Sequence, residues 1–218
     1  MCISEVGRNW QWVPTLENML RLDFTRVIPG HGETTDRAGL RQFLALIAQL
    51  AEIGDSAAEK FERAMSAAPA AVSAEATIMD TDGTILREGS NGWTCLPDTM
   101  PGDHAPMCND AVWMKLMGMM MGGEEYVPDR VGISYMLQGE PEGAGVSNST
   151  PGHPDPQSAD DYVETGPHMM IVVPKEMLKG VTSDPSTGGP YVMWGDTPFA
   201  HIMIPVALEG KGVVTKGM

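Results

Sequence analysis

His168-Met169-Met170-Ile171-Val172-Val173 is an apolar run entered through Gly166-Pro167 and left through Pro174. Short apolar runs with Pro and Gly at both ends read as strands. Three others share this form: Val131–Leu137, Tyr191–Trp194 and His201–Val206. Outward from them, Asp80-Thr81-Asp82-Gly83 separates Thr77–Asp80 from Thr84–Arg87, the signature of a hairpin. Asp110 to Met121 reads as a helix capped by Asn109 or Asp110. Asn91 to Cys108 reads as loop, and Gly139 to Thr165 as a long polar loop of the kind that carries function or moves. The expected fold class is α+β, with a mainly antiparallel β domain that has one helix.

An α-β-α fragment precedes it. Leu16, Met19 and Leu20 predict a short helix over Pro14–Leu22, and a strand is expected over Phe24–Ile28, stopped by Pro29-Gly30. Thr35 or Asp36 is placed to cap a helix whose apolar face is Leu40, Phe43, Leu44, Ile47 and Leu50. Ser56 to Met65 reads as a second helical piece, and the Ala-rich stretch after it, with Pro69, as a linker. The domain reading is 1–64 for the fragment, 65–75 for the linker and 76–218 for the β-rich domain.

The net charge is −15 over 218 residues, and it is unevenly placed. Residues 1–64 hold nine acidic and seven basic side chains, and the rest hold twenty and seven. Such a surface repels phosphate backbones and anionic lipid, so neither nucleic acid nor membrane is an expected partner. No apolar run approaches the ~18 residues of a membrane span. The first residues lack a secretory pattern, so the chain as written reads as cytoplasmic. Cys95 and Cys108 bracket a Pro-rich segment and stand either as a bridge or as two free thiols. There is no G-x-S-x-G elbow, phosphate loop or dinucleotide fingerprint. Eighteen methionines are unusual, and flexible core filling explains them by default, with a soft-metal site as the other reading.

Val27-Ile28-Pro29-Gly30-His31-Gly32, with Trp10-Gln11-Trp12 and Leu22-Asp23 before it and the amphipathic helix after it, resembles the carboxyl-terminal segment of metallo-β-lactamase-fold hydrolases. The resemblance covers about residues 10–64. It implies a metal-dependent hydrolase in which His31 is a ligand at a glycine-flanked turn. The family's main H-x-H-x-D-H motif is missing, and His31 is the first histidine of the chain. One imidazole does not hold a catalytic zinc, so His31 reads as a turn residue. Residues 76–206 also resemble a group of small, uncharacterised, exported bacterial proteins, through Asn91-Gly92-Trp93-Thr94-Cys95, Tyr135-Met136-Leu137-Gln138-Gly139, Gly166-Pro167-His168 and the Tyr191–Val206 ending. That resemblance implies a disulfide and an extracytoplasmic origin for residues 76–218.

Two histidines open strands, and if those strands are neighbours His168 and His201 meet at one sheet end beside Trp194 and Asp196. Imidazole near its ordinary pKa is a general acid/base, so the two are the expected catalytic pair of an ester or lactone hydrolase, with acyl-homoserine-lactone-like substrates in its range. Asp80 and Asp82 begin a partial Ca²⁺ loop, with Glu88, Asp155, Asp160 or Asp161 to complete it. A divalent metal, Ca²⁺ or Zn²⁺, is the expected cofactor and a small molecule the expected partner, with the oligomeric state open. The alternative reading is a non-catalytic extracytoplasmic binding or structural module, in which each histidine caps its strand.

Overall fold

The computed structural model describes residues 19–27, 34–52, 55–206 and 213–215. Contacts divide the chain into two units, Met1–Ser56 and Ala57–Met218. In the first, helix α1 (Arg37–Glu52) starts where its cap is expected, because Asp36 Oδ1 accepts from the N–H groups of Ala38 at 2.9 Å and Gly39 at 3.0 Å. Leu40 is buried on its apolar face. The expected strand over Phe24–Ile28 is a single antiparallel bridge, Val27 to Thr35, in the part described. His31 and Trp10 to Trp12 lie outside the described residues.

The second unit begins with helices α2 (Ala57–Met65) and α3 (Ala70–Ser73), so the stretch read as a linker is part of its core. Ala64, Ala67, Ala68 and Ala76 are buried against Ile78, Cys95 and Cys108. Alanine is here a packing residue: its small side chain lets helix and sheet approach closely.

Eight strands form the main sheet, in the order β2 (Ile85–Arg87), β1 (Thr77–Met79), β3 (Thr94–Leu96), β4 (Met107–Asn109), β5 (Gly132–Met136), β8 (His168–Val172), β10 (His201–Pro205), β9 (Tyr191–Met193). Among the described residues of this sheet only β1 and β3 pair in parallel. A smaller sheet orders β11 (Val213–Thr215), β7 (Tyr162–Thr165) and β6 (Val146–Ser147). The architecture is α+β. The polar stretch Gly139–Thr165 therefore contributes two strands, where sequence suggested loop throughout.

Asn91–Cys108 also departs from expectation, because both of its ends are strand. Cys95 faces Cys108 across the β3–β4 register, and the two are joined as a disulfide. Arg63 of α2 clamps the enclosed loop, donating from Nε to the Pro97 carbonyl at 2.9 Å and pairing through Nη2 with Asp98 at 2.9 Å. Cross-strand partners far apart in sequence leave no periodic signal, which is why these short strands look like loop.

Helix α4 (Ala111–Gly122) covers the opposite face of the sheet. Asp110 caps it, accepting from Val112 and Trp113 through Oδ1 and from Ile133 of β5 through Oδ2 at 2.8 Å. The same carboxylate thus starts the helix and holds it to the sheet. A Cβ on Gly132 would come within 2.7 Å of Val112 and Val172, so this crossing tolerates only glycine. Among the described residues no helix is long and apolar enough to cross a membrane.

The bridge closes a loop for which chain-entropy models give about 3 kcal/mol. Cys95→Ala with Cys108→Ala is expected to lower unfolding free energy by roughly that amount in urea titrations. The intact protein is expected to weigh two hydrogens less than its reduced form by mass spectrometry without reductant. Two alkylatable thiols in the folded protein would contradict the bridge.

Candidate functional site

Antiparallel pairing places directly opposed residues on one face, and the register defines which side chains share the interior. Across its middle run Asn109, Ser134, Met170, Met203 and Tyr191, each opposite the next. On one side of that row His168 faces Met136 of β5 and Pro205 of β10. On the other side His201 faces Met193 of β9. The strands are neighbours, as the acid/base pairing required, but they run in opposite directions. Two strand-opening histidines then fall at opposite ends of the ladder, about 13 Å apart along the strands. The shared sheet end expected from sequence is not formed.

Both imidazoles are buried, His168 with 0% and His201 with 2% of its surface exposed. His168 Nδ1 lies 2.7 Å from the Gly166 carbonyl and His201 Nδ1 lies 2.8 Å from the Phe199 carbonyl. A carbonyl only accepts, so Nδ1 carries the proton in each ring and Nε2 presents a lone pair. Neither Nε2 has a hydrogen-bond partner. Burial pushes both imidazoles down to about 4, and His168 adds a further push on His201. A base that weak is a poor proton acceptor at neutral pH. Trp113 and Trp194 meet His201 edge-on, each with ring centres 5.2 Å away.

Trp194 has a left-handed backbone with φ of 56°, and the expected strand therefore ends at Met193. Its amide N–H donates to the Asn148 carbonyl at 2.8 Å, and its indole Nε1 to the Ser147 carbonyl at 2.9 Å. The small sheet thus holds this ring against His201. Asp196 is exposed and is not a hydrogen-bond partner of either histidine.

Asp80 and Asp82 have other employment. Asp80 Oδ2 takes a salt bridge from Lys60 at 2.6 Å, and Asp82 Oδ1 accepts from Thr84 N–H at 2.8 Å, closing the hairpin turn. Asp161, suggested as a completing ligand, accepts from Ser147 Oγ and Ser149 N–H, both at 2.8 Å. Among the described residues no three His, Cys, Asp or Glu side chains gather where they would hold a metal ion. Among the described residues the carboxylates suggested as completing ligands do not gather with Asp80 and Asp82.

Several polar residues that sequence reasoning passed over are set into the methionine-rich interior. Ser134 Oγ donates to Asn109 Oδ1 at 2.5 Å, and Asn109 Nδ2 donates toward the sulfurs of Met117 at 3.4 Å and Met114 at 3.6 Å. The Thr165 and Tyr191 hydroxyls lie 3.0 Å apart. Beside them Glu140 accepts from Thr165 N–H at 2.7 Å, and burial pushes its carboxyl up to about 8. No sequence signal marks Glu140, because its partner, Thr165 of β7, is 25 positions away. No family model, curated protein or solved structure matches this chain.

These shifts predict the pH dependence of stability. Folded histidines near 4 against 6.5 unfolded make a contribution that is complete above pH 6.5 and is lost as the pH falls toward 4. Glu140, near 8 against 4.5, contributes fully below pH 4.5, and that contribution is lost as the pH rises to 8. Two imidazoles outweigh one carboxyl on the acid side. Unfolding free energy is expected to drop between pH 6.5 and 5, by on the order of 2 kcal/mol per histidine, partly offset by Glu140. Glu140→Gln is expected to flatten the decline between pH 6.5 and 8 in urea titrations. An acid limb unchanged in His168→Asn and in His201→Asn would contradict this assignment.

Proposed function

We propose that the second unit is a non-catalytic binding unit for a small ligand, built for an oxidising compartment outside the cytoplasm. The observation that carries this reading is the pair of buried imidazoles whose Nδ1 is satisfied and whose Nε2 is not. Buried polar atoms are nearly always paired, and one left as a bare acceptor is unfavourable unless something from outside meets it. The bridge at the centre of the sheet supports the oxidising compartment.

A hydrolase acting on an ester or lactone, with a divalent metal, is the rival reading. What favours it is Glu140, a carboxyl held protonated at neutral pH and so able to act as an acid. Against it stand the separation and weak basicity of the two histidines.

Hydrolysis of aryl acetates and short-chain lactones, followed from pH 5 to 9, separates the two. The purified protein is expected to stay at the buffer rate, with or without added Zn²⁺ or Ca²⁺. A protein-dependent rate that falls ~10²-fold in His168→Asn, His201→Asn or Glu140→Gln would overturn the binding reading in favour of hydrolysis.

A further inference from the structure

We propose that His201, Met193 and Met203 form a binding site for a single Cu(I) ion, walled by Trp113 and Trp194. This rests on the binding-unit reading and names its ligand.

The three donors share one buried face by register. His201 is directly opposite Met193, and Met203 follows His201 by two residues on the same strand, on the same side of the sheet. Met193 is 3% exposed and Met203 1%. One imidazole nitrogen and two thioethers are soft or borderline donors, which select Cu(I) over Ca²⁺, Mg²⁺ and Zn²⁺. No residue that opposes or adjoins these three in the β8–β10–β9 register is a carboxylate. A hard divalent ion placed there would meet no anionic oxygen donor in that register.

The imidazole is prepared as a ligand should be. Metal-bound histidines commonly donate their other N–H to a carboxylate or backbone carbonyl, which holds the ring and raises ligand basicity. His201 does this through Nδ1 to the Phe199 carbonyl, leaving the Nε2 lone pair without a partner in a buried position.

Two independent features accompany the donors. Trp113 and Trp194 each meet the imidazole edge-on with ring centres 5.2 Å away, and such large apolar rings exclude water from it. Trp194 is held in a left-handed conformation that non-glycine residues rarely adopt, and such strain gathers at ligand clamps. Cys95 and Cys108 are committed to the disulfide, so thioethers are the soft sulfur ligands this unit offers.

His168 is the built-in comparison. It is as buried, its Nδ1 is held in the same way, and Met136 lies opposite it with Met170 two residues on, so among the described residues what sets His201 apart is its two tryptophan ring contacts.

The test uses the full chain with its disulfide intact, under anaerobic conditions, with copper reduced by ascorbate and no thiol present. Competition with bathocuproine disulfonate reads the affinity, and metal analysis after desalting reads the stoichiometry. Wild type is expected to retain one Cu(I) per chain with quenching of tryptophan fluorescence. Met203→Leu and Met193→Leu conserve volume and are expected to fold as wild type does. Each, like His201→Asn, is expected to weaken Cu(I) by roughly tenfold or more. His168→Asn is expected to leave it within about threefold, well short of that loss. The proposal is overturned if wild type retains no Cu(I), or if the retained ion is not weakened by the two leucine variants. It is also overturned if His168→Asn releases the ion while His201→Asn keeps it. A protein that neither keeps Cu(I) nor hydrolyses esters removes the copper site alone, whereas histidine-dependent hydrolysis removes the binding-unit reading itself.

Discussion

Strand β8 is hydrogen-bonded along both edges, to β5 on one side and β10 on the other, and its register sets the interior of the unit. Side chains alternate with period two, so one choice of face commits His168, Met170 and Val172 together to the interior. The same choice sends Met169 and Ile171 to the other side. A slip of one residue would carry both a histidine and a methionine out of the core. Asp110 reinforces the arrangement by capping α4 and accepting from β5 with one carboxylate, so the helix covers this face in a single position.

Most polar groups in this interior find partners distant in sequence: Ser134 with Asn109, Thr165 with Tyr191 and Glu140 with the Thr165 amide. Such networks specify one packing, since a shifted register would strand several donors at once. The methionines fill the space between them. Their unbranched, polarizable side chains suit an interior made of imidazole, indole and amide surfaces. Among the described residues the Nε2 atoms of His168 and His201, with Asn148 Oδ1, are the buried polar atoms left without a partner.

Much of the local structure was legible in the residues. The hairpin at Asp80–Gly83 and the caps, which fell to Asp36 and Asp110 of the two candidates at each helix, rest on interactions within a few residues of one another, and the apolar runs carry their own period and Gly/Pro stops. Buried alanines were misread as a linker because a small side chain looks the same in a close-packed contact as in a flexible tether. The strands around Cys95 and Cys108 were missed because three-residue segments carry no usable period.

By itself the sequence determined the fold class, the strand-forming segments and the placing of His168 and His201 at strand openings, since these depend on periodicity, turn chemistry and caps. It did not determine what those histidines do. That depended on strand direction: antiparallel pairing of β8 and β10 put the two openings at opposite ends, whereas parallel pairing would have put them together. Direction and partner choice are set by hydrogen bonds between residues about thirty positions apart, which no local pattern encodes. The same is true of burial, which weakened both imidazoles as bases and set His201 against two indoles, opposite Met193 and two residues from Met203.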